Sequence, residues 1–344
     1  MTEVLRALAE RVAESHHTKR TLRIHGGDSK AHMIGRDCQA DSTLGLADYQ
    51  GISDYQPSEL VLGARAGTRI SELQRALAEQ GQTLPFDPPA FDNRATLGGT
   101  LACNLNGPGR PWLGSVRDAV LGVQLINGVG ELLEFGGRVM KNVAGYDVSR
   151  LQAGALGTLG VITEIHLKVL PLPECSITLA YDTSAGQALS LMSEKARQPK
   201  PLTGACWLDG RMYLRLSGAE RAVHHTASEW GGETVDDTIW AQLRDLQHPF
   251  FDGEEPLWRL ATDIHTPARN DASECIDWAG SQRWFRSRPE SVPAGSHLSL
   301  FAGGDRQAEV RGKLDEVQQR LQLRLKQSMD PAGTLNPGRL YSWM

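Results

Sequence analysis

The placement of glycine constrains this chain more than any other feature. Thr96-Leu-Gly-Gly-Thr-Leu-Ala-Cys-Asn-Leu-Asn-Gly107 is followed by Gly114-Ser-Val-Arg-Asp118 and then by Gly157-Thr-Leu-Gly-Val-Ile-Thr-Glu164. Glycine lacks the Cβ that keeps a main chain away from a ligand and it reaches positive φ, so such runs free N–H groups for phosphate oxygens. His25-Gly-Gly-Asp-Ser-Lys30, after a short predicted strand, is another place of this kind, although Gly26-Gly27-Asp28 is also ordinary turn material. In the binding reading, the N–H groups of residues 26–30 and the Ser29 hydroxyl cradle a diphosphate. Lys30 reads as a solvated lysine or as an added charge. Two familiar phosphate loops are excluded. No stretch reads G-x-x-x-x-G-K-[ST], and Gly154, Gly157 and Gly160 are spaced three apart, not as G-x-G-x-x-G. A diphosphate cofactor held by a different fold is the expectation.

The net charge of -5 and the lack of a Lys/Arg cluster argue against a nucleic-acid binder. Cys38, Cys103, Cys175, Cys206 and Cys275 are scattered with no C-x-x-C pair, so neither an iron-sulfur cluster nor a zinc knuckle is encoded locally. Reduced thiols in a cytoplasm are expected from that set. Val4, Leu5, Leu8 and Val12 alternate with charge near the amino terminus, which predicts an amphipathic helix, not a signal peptide. No apolar run approaches a bilayer span, so the chain is expected to be soluble and to meet a membrane only through a partner.

The coarse pattern is α+β. A strand at residues 21–24, a strand at 59–62 and a helix at about 69–80 with Ile70, Leu73 and Leu77 on one face give a βαβ-like beginning. Residues 119–126 and 131–135 flank Asn127-Gly128, a hairpin signal suited to a tight primed turn. Residues 161–169 form a strand running into Pro171 and Pro173, which mark a domain edge. Beyond it seven of the eight tryptophans follow from Trp207 onward and the glycine-rich loops stop. A charged helix is predicted over residues 307–326, with Val310, Leu314, Val317, Leu321 and Leu325 as its core stripe. The expected domains are 1–172 for the cofactor, 173–326 for a smaller second domain, and 327–344 as a tail returning to the first.

Taken in order, these motifs carry a resemblance. The first loop, Pro88-Pro89, Thr96-Leu-Gly-Gly99, Ala102, Asn104, Gly107-Pro108, Gly114, Arg117-Asp118, Lys141-Asn-Val-Ala-Gly-Tyr-Asp147, residues 157–164 and the closing Asp330-Pro-Ala-Gly-Thr-Leu-Asn-Pro-Gly338 resemble the FAD-binding family typified by vanillyl-alcohol oxidase and p-cresol methylhydroxylase. Within it the likeness is to the FAD-binding subunits of bacterial glycolate oxidases, through the short length, Asn106-Gly-Pro-Gly-Arg110 and residues 141–147. The resemblance covers about half of the chain.

It implies a PCMH-type FAD-binding domain of two subdomains, a smaller α+β cap domain, a larger FAD-containing partner subunit and an iron-sulfur subunit. Carried over by position, it places Gly26, Gly27, Asp28, Ser29 and Lys30 at the diphosphate, and Pro88, Gly98, Gly99, Ala102, Asn104 and Gly107 along its path. Gly114, Ser115, Val116 and Asp118 are placed toward the ribityl or flavin portion, Gly157, Gly160, Val161 and Ile162 beside the isoalloxazine, and Asn336 at the ring from the tail. Relatives with covalent flavin often use a histidine where Asp28 stands, so noncovalent FAD is expected and His25 reads as a strand residue.

The second half departs from the larger-subunit pattern. A H-G-D-G-N-x-H type segment is missing, the nearest stretch being His297-Leu-Ser-Leu-Phe-Ala-Gly-Gly-Asp305. Arg259, His265, Arg269 and His297 are acid–base or carboxylate candidates by type alone, so the catalytic set is left unassigned. His16-His17 and His224-His225 point apart as neighbours and lack a third ligand, so no metal is expected. Trp240, Trp258, Trp278 and Trp284 with Phe250, Phe251 and Phe285 read as core or as an aromatic interface. The expected function is a subunit supporting electron transfer from the oxidation of glycolate, a 2-hydroxy acid, to the iron-sulfur subunit, at the inner face of the cell membrane through partners. The rivals are a self-sufficient FAD-dependent D-lactate or glycolate dehydrogenase and a scaffold with a vestigial flavin site.

Overall fold

The computed structural model describes residues 2–137, 146–269 and 274–344. Residues 141–145 of the resemblance lie outside the described residues. The chain divides into two compact units, one of Met1–Leu105, Ser115–Pro171 and Asp305–Met344, the other of Asn106–Gly114 and Leu172–Gly304. The expected borders therefore shift at two places. Residues 106–114 go with the second unit because the Trp278 indole donates to the Gly107 carbonyl at 3.0 Å. Residues 305–326 go with the first because Arg306 donates to the Gly35 carbonyl and Val310 is buried there.

The first unit contains β1 (Leu22–His25), β2 (Ser42–Gly45), β3 (Ile52–Gln56), β4 (Val61–Arg65), β5 (Gln82–Thr83), β6 (Val120–Ile126), β7 (Leu132–Gly136), β8 (Val161–Lys168) and β9 (Leu170–Pro171). β1 and β2 pair in parallel, β5 pairs with β9, and an antiparallel sheet runs β3-β4-β8-β6-β7. The βαβ-like opening is not formed. Residues 26–41, the link between the parallel strands, contain no helix, and β4 lies in the other sheet. β8 is buried on both faces because it is the central strand, which explains its run of apolar residues.

Two helices close that sheet. Ile70–Ala78 buries Ile70, Leu73 and Leu77, and Leu97–Cys103 buries Leu97 and Leu101 in the same core. The Thr96 hydroxyl caps the latter helix by accepting from the Gly99 N–H at 3.3 Å. The N-terminal helix Glu3–Thr18 buries Leu5, Leu8 and Val12 against Leu22, Leu44 and Val161 and leaves Val4 exposed. The β6–β7 connection differs from a two-residue turn. The Asn127 side chain accepts from the N–H groups of Val129 and Glu131, and the left-handed residue is Gly130 at φ 89°.

The C-terminal helix spans Glu316–Met329, starting nine residues later than predicted, with Asp315 as its cap. Its apolar stripe faces outward: Val317, Leu321 and Leu325 are 56%, 54% and 38% exposed. Lys326 faces inward at 5% exposure, its ammonium donating to the carbonyls of Thr158 (2.9 Å) and Leu335 (2.8 Å) and to Asp330 Oδ2 (2.8 Å). Three oxygens replace the water that the ammonium gives up, so Lys326 takes the inward side beside half-buried Leu323 and Met329.

The second unit is built on an eight-stranded sheet: β10 (Cys175–Asp182), β11 (Leu202–Leu208), β12 (Arg211–Gly218), β13 (Glu233–Val235), β14 (Leu257–Ala261), β15 (Glu274–Asp277), β16 (Gln282–Phe285) and β17 (His297–Ala302). Their order is β13-β10-β12-β11-β15-β16-β14-β17. Helices Ala185–Ala196 and Glu220–Trp230 cover it through Ala188, Leu189, Met192 and Val223. Trp207, Trp230, Trp240, Trp278 and Trp284 are buried, so most of the indoles are core and not an exposed aromatic surface.

Candidate functional site: a glycine-walled cavity in the first unit

The first unit encloses a cavity of about 340 Å³ where β1, the loop after it, the helix Leu97–Cys103, the turn before β8 and the C-terminal tail converge. Gly26, Gly27, Asp28, Ser29, Lys30, Gly98, Gly99, Ala102, Gly157, Gly160, Ile162 and Asn336 all line it. Its volume is that of a small-molecule site, with polar loops at one side and Leu46, Ala66, Leu156 and Ile162 as apolar wall.

The other residues assigned by position lie elsewhere. Gly107 and Gly114 belong to the second unit. Ser115 and Asp118 form a capping box at the helix Val116–Ala119, with Ser115 Oγ 2.7 Å from Asp118 Oδ2. Val116 and Val161 are fully buried in cores, Pro88 is buried outside the lining, and Asn104 is the left-handed C-cap of Leu97–Cys103 at φ 47°.

Most of the cavity glycines serve close approach between protein segments. A Cβ on Gly27 would run into the Arg94 carbonyl, one on Gly26 would lie 2.5 Å from Thr96 Oγ1, and one on Gly98 2.7 Å from the Ala66 Cβ. At Gly99 the nearest atom to such a Cβ is again Thr96 Oγ1, at 3.1 Å. The walls can therefore come together without side chains, and the loop after β1 keeps its main chain against the cavity.

In that loop the N–H groups of Gly27, Asp28 and Ser29 have no protein acceptor among the described residues. Asp28 adopts φ 52° and its carboxylate pairs with Arg23 at 2.8 Å and with His25 Nδ1 at 3.3 Å. Its charge is thus neutralised locally, and unpaired donors remain for an anion. Lys30 is not a solvated lysine. It is buried, donates to Ser29 Oγ at 3.2 Å, and sits 5.4 Å from the Phe91 ring centroid. Free main-chain donors, a buried ammonium and an apolar far wall fit a cofactor with a diphosphate and a planar apolar end.

Sequence reasoning missed Arg23, His32, Cys38, Cys103 and Arg339, all of which line the cavity. Arg339 follows the flagged tail motif by one residue. Its guanidinium donates to the carbonyls of Arg36, Ala31 (2.9 Å), Met33 (3.3 Å) and Lys30 (3.4 Å), clasping the loop from the far end of the chain. Burial pulls its pKa down, as it does for Arg306, which falls to about 10 through burial and the nearby Arg339 charge. Burial raises the Cys38 and Cys103 thiols, against the opposing pull of Arg339 on both.

Asn336 takes a bracing role. Its Oδ1 accepts from the Ile24 N–H at 2.6 Å and its Nδ2 donates to the Leu156 carbonyl at 2.6 Å, tying the wall after β1 to the wall before β8. Both ends of its amide are committed to protein.

In the second unit, His265 and Arg269 line a groove beside the helix Ala185–Ala196. Arg259 donates to Gln282 Oε1 at 2.6 Å and stacks on Trp278 and Trp284, and His297 is exposed on β17. His224 and His225 pair separately with Glu220 and Glu229. No cluster of three metal-ligating side chains occurs among the described residues. No helix among them is long and apolar enough to cross a membrane.

Residues 4–136 match the FAD binding domain family. The chain is 43% identical to "Glycolate oxidase subunit GlcE" of Escherichia coli (strain K12), over 98% of this chain and 97% of that one. "Glycolate oxidase subunit GlcD" of Bacillus subtilis (strain 168) is 31% identical over 44% of this chain and 32% of its own, and "D-lactate dehydrogenase" of Anaerostipes hadrus 33% identical over 40% and 28%. Among solved structures, an alkyldihydroxyacetonephosphate synthase superposes with a TM-score of 0.67 over 96% of this chain and 74% of that one, at 15% identity. That likeness shows a shared fold. The cavity, the FAD-domain match and the near full-length identity place the chain among the FAD-binding flavoproteins of the vanillyl-alcohol oxidase and p-cresol methylhydroxylase class, in the family of GlcE-type glycolate oxidase subunits.

Proposed function

We propose that this chain is the FAD-binding subunit of a complex that oxidises glycolate or a similar 2-hydroxy acid. In this reading a larger FAD-containing subunit removes the hydride, and this chain helps to pass electrons to an iron-sulfur subunit at the inner face of the cell membrane. Bound FAD supplies chemistry that accepts electrons in pairs and releases them singly. Residues 27–29 would offer main-chain N–H groups to its diphosphate, Lys30 would add a buried positive charge, and Ile162 and Leu156 would supply apolar wall. Asp28 stands where covalent relatives carry histidine, so the flavin is held without a bond to protein.

The observation that carries this reading is the separation of roles in the structure. The cavity is braced by Arg339, Asn336 and the Arg23–Asp28–His25 set, whose side chains are bonded to protein. The candidates for substrate chemistry, Arg259, His265, Arg269 and His297, are absent from its lining, and His265 and Arg269 line a groove of the second unit instead. In this reading the cavity of this chain holds a flavin, and removal of the carbinol proton is assigned to the larger subunit.

Absorbance spectra of the purified chain, before and after anaerobic addition of glycolate or D-lactate, test it. A bound flavin that stays oxidised is expected. Bleaching by either acid overturns the division of labour and makes the chain a dehydrogenase by itself, and absence of flavin leaves a scaffold.

A further inference from the structure

His25 closes β1 and lines the cavity, and the brace on the loop uses only one edge of its imidazole. Nδ1 lies 3.3 Å from Asp28 Oδ2 and 3.3 Å from the Gly26 carbonyl, so the ring is held on the same loop whose Gly27, Asp28 and Ser29 N–H groups have no protein acceptor among the described residues. A ring nitrogen that faces a carboxylate and a carbonyl carries the hydrogen in neutral imidazole, which leaves Nε2 as the basic atom. Nε2 has no protein partner among the described residues. Glycine at position 45, opposite His25 on β2, gives this edge of the ring its room, since a Cβ there would stand 3.3 Å from Nε2.

Charge around the ring is unbalanced. Arg23, Lys30 and Arg339 line the cavity with Asp28 and Asp37, and Arg94 donates to the Gly27 carbonyl at 3.1 Å, so the protein itself supplies more cations than carboxylates. From β2 the ring meets only Gly45, which carries no charge. A further positive charge on His25 is disfavoured by that excess, and an arriving diphosphate reverses the balance. We propose that His25 is a proton-linked cofactor residue: Nε2 takes a proton from solvent as FAD binds, and the imidazolium so formed adds its charge to the donors at the diphosphate. The inference rests on the flavin reading above. Because the FAD-bound chain holds this proton more tightly than the free chain, affinity for FAD is highest at low pH and falls as pH rises. His32, also in the lining, is exposed and has no carboxylate partner among the described residues, so it lacks the placement that ties His25 to the free donors.

The full-length chain, stripped of flavin and titrated with FAD by calorimetry in two buffers of different ionisation enthalpy, reads the proton directly. FAD in water gains or loses no proton from about pH 5 to about pH 8, the range of an ordinary imidazole, so uptake there belongs to the protein. Roughly half a proton per FAD is expected near neutral pH, with affinity falling about fivefold to tenfold across that range. His25→Gln, which keeps a polar side chain beside Asp28, is expected to abolish both effects, and His32→Gln to leave both in place. Absence of uptake by the wild-type chain, a reading that needs no variant, overturns the proposal and leaves the flavin reading standing. So does uptake that survives in His25→Gln or disappears in His32→Gln. A wild-type chain that is purified without flavin and takes up no added FAD removes the flavin reading, and this proposal with it.

Discussion

The two units use their buried and half-buried cations differently. In the first, Arg339, Arg36, Arg306 and Lys326 donate mainly to main-chain carbonyls, and so hold loops in place around a cavity. In the second, Arg283 donates to the Gly280 and Thr266 carbonyls but also pairs with Glu274 at 3.3 Å, and Arg259 and Arg215 stack on tryptophan rings, so charge joins side chains as well as main chain. A sheet already satisfies its own carbonyls, whereas loops gathered around a ligand do not. The positive charge of the first unit therefore organises loops around the cavity, and that of the second also ties side chains together on the sheet.

The largest expected effects come from the two buried ion pairs, which set the units directly against each other. Lys326→Met leaves Asp330 buried and unpaired, and Arg283→Met does the same to Glu274, so each is expected to cost about 3–5 kcal/mol in chemical denaturation. Only Lys326→Met is expected to reduce FAD bound per folded chain; equal FAD loss in both would break the comparison. Next, Arg339→Ala removes donors from the Arg36, Ala31 and Met33 carbonyls and is expected to cost about 2–3 kcal/mol, with FAD affinity weakened more than tenfold, roughly, in fluorescence titration.

Asn336→Ala removes the brace between Ile24 and Leu156, at about 1–3 kcal/mol, and is expected to weaken FAD binding without changing the flavin spectrum. A spectral change would return Asn336 to the ring. Arg259→Lys, at the lower end, exchanges a planar guanidinium for an ammonium over Trp278 and is expected to cost about 1 kcal/mol with FAD content unchanged.

Acidity sharpens the comparison without mutation. Because burial raises the Cys38 and Cys103 thiols above the usual 9.0, their protonated forms prevail at neutral pH. Iodoacetamide labelling of the FAD-free chain, followed by mass spectrometry, is expected to be slow at pH 7 and to climb only beyond pH 9. Both thiols line the cavity, so added FAD is expected to suppress their labelling and to leave Cys175, in the second unit, unaffected.

Much of the first unit was legible because its signals are local. Glycine pairs, the cap at Thr96 and the i, i+3, i+7 spacing of Ile70, Leu73 and Leu77 act within a few residues of themselves. Arg339 and Asn336 were harder to read, since their partners lie 180 to 312 residues away and no periodicity announces them. The C-terminal helix was misread for a related reason. Its leucine stripe has the spacing of a core face, but an ammonium with three oxygens waiting for it decides which side turns inward. Asn127 misled in a smaller way, its side chain replacing the backbone turn that Asn-Gly announces. The second unit's sheet order follows from pairings such as β14 with β17, which the sequence pattern does not encode.

The braces on the loop after β1 come from residues 336 and 339, so an early wall of the cavity is secured by residues 312 and 308 positions later in the chain. Domains on most chains begin to fold from the amino terminus as synthesis proceeds. Here the wall after β1 gains its braces only once residues 336 and 339 have been made, so a chain cut before Asn336 is expected to fold that wall without them.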